Sequence, residues 1–260
     1  MTDFNPTEPV YPHKLRRLYW PFLALAEVCR EIVGTVAGSF EWDEKRYTIP
    51  RFVFHGPPLG LPPIRIGLFA LLQGDDQVGA LGLQRFLNSL VNDPAPAAGY
   101  ELALYPLCNP TGYEDGTRHN RAGCDLNREF WRGSAQPEVR IMEAELQSGQ
   151  FDGIIAVRAD GTAATLQGFT PDPLVAEQLL KPSLGAASQI LPAEQPVAGR
   201  QGRDATGALT APPVQRPQPF EIVLETPARA PMTQQIEAIS CALQAVLKEY
   251  RAFIAQGINL

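Results

Sequence analysis

Apolar positions in this chain follow two rhythms, one helical and one extended, separated by short polar turns. Leu15, Leu18, Tyr19, Phe22, Ala26, Cys29, Ile32 and Val33 recur at helical spacing. They predict an amphipathic helix over much of 14–36, starting or bending at Pro21. The basic run Lys14, Arg16 and Arg17 reads as the solvated start of that helix. Arg46–His55 alternates in part, through Tyr47, Ile49, Phe52 and Phe54, and predicts a strand. Pro57, Pro58, Pro62 and Pro63 then make a tight connection. Ile64–Leu72 is a continuous apolar run of the kind found in buried parallel strands. It ends at Gln73-Gly74-Asp75-Asp76, after which Val78, Leu81, Leu83, Phe86, Leu87 and Leu90 restore the helical period. Further strands are predicted at Glu101–Leu107, Gly153–Val157 and Phe220–Leu224, and a closing helix over about 232–254.

This succession of strands and helices predicts an α/β protein. Three strand ends carry polar residues: Gln73/Asp76, Arg158/Asp160 and Glu225. Such ends can converge on one site, although turns facing water also end in polar residues without any function. The 260 residues, 45% of them hydrophobic, suffice for one domain over 1–260. Residues 192–219, rich in Pro, Gly, Gln and Ala, predict a long irregular loop within it.

A net charge of -6 argues against a nucleic-acid partner. No run approaches the roughly 20 apolar residues of a membrane helix, and the polar N-terminal residues do not read as a secretory signal. A cytoplasmic protein with no membrane partner is expected. The four cysteines (Cys29, Cys108, Cys124, Cys241) lack Cys-x-x-Cys spacing and are expected to be buried free thiols.

The densest motif lies at 105–130. It contains Asn109-Pro110-Thr111-Gly112-Tyr113, then Arg118, then Asp125-Leu126-Asn127-Arg128-Glu129-Phe130. This resembles the Asn-Pro-x-Gly-Tyr … Arg … Asp-Leu-Asn-Arg-x-Phe signature of the zinc carboxypeptidases. That group includes carboxypeptidase A and the murein peptide amidases and is related to the succinylglutamate desuccinylase/aspartoacylase group. The resemblance extends over most of 64–250 and is weakest in 165–218. It implies a mixed, mostly parallel central sheet flanked by helices on both faces. It also implies that Arg118 polarises a scissile carbonyl, that Asn127 and Arg128 grip a substrate carboxylate, and that Glu225 is the general base. The residue types suit those roles: a guanidinium forks onto a carboxylate, and an amide fixes its orientation. A bland alternative stays open, in which Arg118, Arg121 and Arg128 merely pair with Asp115, Asp125 and Glu129.

The metal positions depart from the family pattern. Where the family has His-Gly-Asp-Glu, this chain has Gln73-Gly74-Asp75-Asp76, and the later histidine ligand is matched by Arg158. An arginine has no lone pair to offer a metal. The only histidines, His13, His55 and His119, form neither His-x-x-Glu nor His-x-x-x-His. Zinc is thus the family cofactor, but its ligands are missing, and no cofactor is expected here. Arg158 is expected to occupy the former metal region and to pair with Asp76, and with Glu225 as well. Residues 192–219 also contain no tyrosine to match the family's mobile substrate-binding one.

Three functions follow. The first is a catalytically inactive or impaired homologue that binds a small peptide or amino-acid-derived carboxylate. The second is an active peptidase or amidase with an altered centre, in which Gln73, Asp75, Asp76, Asp160 and Glu225 hold a hard ion. The third is a structural or assembly protein with a relic pocket, for which a filled or collapsed pocket would speak.

Overall fold

A computed structural model describes residues 13–198, 209–255 and 257. One mixed sheet of eight strands organises the chain, in the order β1-β2-β4-β3-β5-β8-β6-β7. The strands are β1 (Ile32–Trp42), β2 (Lys45–His55), β3 (Ile64–Ala70), β4 (Tyr100–Tyr105), β5 (Gly153–Asp160), β6 (Gln167–Thr170), β7 (Val197–Ala198) and β8 (Phe220–Pro227). The centre, β4-β3-β5-β8, is parallel; β1, β2 and β6 join it antiparallel.

The helices are α1 (His13–Val28), α2 (Val78–Asn92), α3 (Pro110–Asp115), α4 (Pro137–Gly149), α5 (Pro173–Val175), α6 (Lys181–Ala187) and α7 (Met232–Ala255). Alternation along each strand sends side chains into two cores. Leu102 and Leu104 of β4 join Phe22, Phe86, Leu184 and Leu243, beneath α1, α2, α6 and α7. Ala103 and Tyr105 join Phe69, Val139, Met142 and Leu146, beneath α4. Phe69 and Tyr105 stack with ring centroids 4.6 Å apart. Burying each such side chain contributes roughly 1.5–3 kcal/mol, so both faces are held by packing. The α/β architecture with covered faces is the one the sequence leads to. No helix among the described residues is long and apolar enough to cross a membrane.

Two expectations need correction. The first helix does not run to 36: it stops at Val28, and Ile32 opens β1. Helical spacing through Ile32 and Val33 is coincidental. Ile32 is buried and Val33 is exposed, as strand alternation requires. The β-branched run Ile32-Val33 with Thr35-Val36 favours extended backbone, and a long antiparallel ladder with β2 fixes it there. The hairpin turn, Asp43-Glu44, has φ of 47° and 60°. Positive φ at both central residues marks a two-residue hairpin, usually announced by glycine. No glycine stands there, so β1 escaped notice. The cysteines are all free, but only Cys108 is fully buried. Of the loop predicted at 192–219, Val197–Ala198 pairs with β6, and 199–208 lie outside the described residues.

Chain order reverses around β3. β4 lies on one side of it and β5 on the other, which opens a crevice at the carboxyl ends of the strands. Gln73 and Asp76 follow β3, Arg158 lies near the end of β5, and Glu225 near the end of β8.

Candidate functional site

The signature first builds a scaffold. Asn109 caps α3: its side-chain oxygen accepts from the Gly112 N–H at 2.9 Å, and Pro110 fills the first helical position. The same side chain donates to the Leu72 carbonyl at 3.2 Å, one residue before Gln73. The Gly74 N–H donates to the Arg118 carbonyl at 3.1 Å. A Cβ on Gly74 would lie 2.2 Å from the Gly112 carbonyl carbon, so only glycine lets the two backbones meet. The turn at 73–76 is therefore clamped between strand β3 and the signature loop. Asp125-Leu126-Asn127-Arg128 forms a single tight turn. Asp125 accepts the Asn127 N–H at 3.2 Å, and Leu126 is buried in the α4-side core.

Gln73, Asp76, Asn127 and Arg158 line one small cavity with Leu72, Ala156, Val157 and Val223. Its volume is about 10 Å³, room for roughly one water. Arg158 and Glu225 are directly opposed in the parallel register of β5 and β8. Their side chains therefore leave the sheet on the same face. The Arg158 Nε donates to Glu225 Oε1 at 2.5 Å, and Nη2 reaches the same oxygen. The Glu225 side chain is only 4% exposed, so the guanidinium supplies the partner that a buried carboxylate requires.

The expected pairing of Arg158 with Asp76 does not form as a hydrogen bond. Asp76 is satisfied by backbone instead. One oxygen accepts the Val78 N–H at 3.1 Å, capping the start of α2, and the other accepts the Ala159 N–H. This carboxyl is nearly buried, and burial pushes its pKa up to about 6; the two amides and the Arg158 charge pull the other way.

The structure separates the three signature arginines. Arg121 is architectural: it binds Asp115 and Glu114 and touches the Tyr47 hydroxyl. Arg128 is exposed and lies 3.6 Å from Asp125. Arg118 is exposed and pairs with no carboxylate among the described residues. The bland pairing thus holds for Arg121, in part for Arg128, and not for Arg118. Neither Arg118 nor Arg128 lines the small cavity; Asn127 does.

Zinc does not fit this donor set. Gln73 offers a neutral amide, both oxygens of Asp76 are engaged by backbone amides, and Arg158 offers no lone pair. The wider oxygen set is not gathered either. Asp75 is exposed, and Asp160 accepts from the Thr162 N–H at 2.6 Å. Among the described residues, no three His, Cys, Asp or Glu side chains come together to hold a metal. His55 pairs with Glu101 at 3.5 Å, and His119 is exposed.

By sequence, the chain matches no protein-family model and no curated protein. By structure, it resembles a metallo-carboxypeptidase from Burkholderia cenocepacia, with a TM-score of 0.74 and 17% identity over 94% of this chain and 70% of that one. A candidate metallopeptidase from Shewanella amazonensis SB2B gives 0.70 and 22% over 90% and 92%. A metallo-carboxypeptidase from Pseudomonas aeruginosa, solved with (2-guanidinoethylmercapto)succinic acid, gives 0.65 and 13% over 95% and 70%. The chain therefore has the carboxypeptidase-like fold.

Two outcomes follow from this geometry. Asn109→Ala removes a cap and a buried tie to Leu72, and should cost about 2 kcal/mol in urea unfolding; an unchanged midpoint would show that Asn109 does not hold the turn. Asp76 has a folded-state pKa of about 6, against 3.8 ordinarily. Between those values the folded chain keeps a proton that the unfolded chain releases, so this group lowers stability as pH rises from about 4 to about 6, by up to roughly 3 kcal/mol. Below that window its contribution is constant. Asp76→Asn should accordingly gain on the wild type by roughly 2–3 kcal/mol between pH 4 and pH 7, whereas parallel stability curves would contradict it.

Proposed function

We propose that this chain is a non-hydrolysing protein of carboxypeptidase-like fold that binds the free carboxylate of a small peptide or amino-acid derivative. The observation that carries this reading is the buried ion pair between Arg158 and Glu225. Glu225 matches the family's general base by position. A carboxylate oxygen that already accepts from a neighbouring guanidinium, and is paired to its charge, is poorly placed to take a proton from water. A water without a metal beside it keeps a pKa of roughly 15.7 and needs a strong base.

The binding half of the signature supports the second part of the reading. Arg118 is exposed without an ion pair among the described residues, and Arg128, next to Asn127 in the chain, is exposed and ion-paired to Asp125. A guanidinium and an amide are each suited to a carboxylate. The Pseudomonas aeruginosa neighbour was solved with a succinic acid derivative, which carries two carboxylates.

The small size of the cavity favours a second reading, a structural or assembly protein with a relic pocket. One titration separates the two. N-acetyl-glycyl-phenylalanine should bind by calorimetry, its C-terminal amide should not, and Arg128→Ala or Arg118→Ala should weaken binding roughly tenfold or more. Mass spectrometry of the mixture should show the peptide intact. Equal affinity for acid and amide, or none for either, would favour the relic pocket. Cleavage dependent on magnesium, manganese or calcium would overturn both in favour of a hydrolase.

A further inference from the structure

A second, roomier cavity lies away from the strand ends, between α1, the start of α2 and α3. It encloses about 370 Å³ and is lined by Lys14, Arg17, Leu18, Pro21, Gln77, Leu81 and Tyr113. That volume falls in the range of small-molecule sites, roughly 300–1,000 Å³. Leu18, Pro21 and Leu81 give it an apolar wall. Two cations stand among them, and no acidic side chain lines it.

The two cations differ. Lys14 donates to the Tyr113 carbonyl and lies 4.5 Å from the centre of the Tyr113 ring, so two partners already hold it. Arg17 is exposed and has no ion pair with any described carboxylate; its charge acts on the Tyr113 phenol, lowering the phenol's pKa against a larger upward push from burial. Arg17 thus brings a guanidinium without a described carboxylate partner to the pocket, beside the Lys14 ammonium, which a neutral carbonyl and a ring hold without neutralising. Its planar fork suits a carboxylate.

We propose that this groove binds a small carboxylate with an apolar or aromatic body, the carboxylate on Arg17 and the body along Leu18, Pro21 and Leu81. The pocket adjoins the clamped turn through Gln77, which accepts from the Tyr113 hydroxyl at 3.4 Å, and through Tyr113, whose backbone packs on Gly74. It shares no residue with the Arg158 cavity.

Calorimetry and methyl NMR on the full chain with 4-phenylbutyrate test this. One molecule should bind, more weakly at high salt, and move the methyl signals of Leu18 and Leu81. The neutral 4-phenylbutanol should bind roughly tenfold more weakly or worse, as should 4-phenylbutyrate to Arg17→Gln. Arg17→Lys should recover part of the affinity, which a purely structural effect would not allow. Arg118→Ala and Arg128→Ala should leave this binding unchanged. Unaltered affinity in Arg17→Gln, loss only in the Arg118 or Arg128 variants, or shifts confined to residues elsewhere would overturn the assignment.

Discussion

The arrangement at the strand ends depends on one register. β5 and β8 run parallel with Arg158 opposite Glu225, and parallel partners project their side chains to the same face. A carboxylate buried at that point must be neutralised. In a metal enzyme a dication could do it; here the neighbouring strand supplies a guanidinium. Asp76, the other acid nearby, needs no such partner, because the start of α2 and the Ala159 amide satisfy it. The cavity between these groups is left with room for roughly one water. Charge balance is thus achieved within the sheet, by side chains that the fold cannot help placing together.

The signature loop has a comparable dual character. Asn109, Gly74 and the Arg118 carbonyl fasten the turn after β3 to α3. Those contacts are architectural and would persist whatever chemistry the site performs. This explains how a carboxypeptidase-like fold can stand with Gln73, Asp76 and Arg158 at its strand ends. The side chains facing outward, Arg118 and Arg128, carry the binding proposal, and they depend on the scaffold only for where they begin.

Much of this was legible in the sequence. Long apolar runs fixed β3, β5 and β8 because buried parallel strands leave little else. The residues at their ends were readable as one site because strand ends converge. What the sequence hid depended on pairing in space. The Arg158–Glu225 contact follows from register, which no local pattern reports, so the choice between Asp76 and Glu225 as the partner could not be made in advance. That Asp76 caps α2 was equally hidden. β1 was masked by a hairpin turn of Asp43 and Glu44, in which Glu44 stands at positive φ where glycine is usual. The basic groove at Arg17 was hidden for another reason: Lys14 and Arg17 read as an ordinary solvated helix start until Tyr113 and Leu81 were brought against them.

The central proposal is that the Arg158 guanidinium balances the buried Glu225 carboxylate, so that the strand ends hold no metal. Elemental mass spectrometry on protein purified without chelators or a metal-affinity tag tests it most directly. The account predicts far less than one zinc per chain, in protein that remains folded. One zinc per chain, lost together with Asp76→Ala, would contradict it and would place the metal where the structure puts the Arg158 guanidinium.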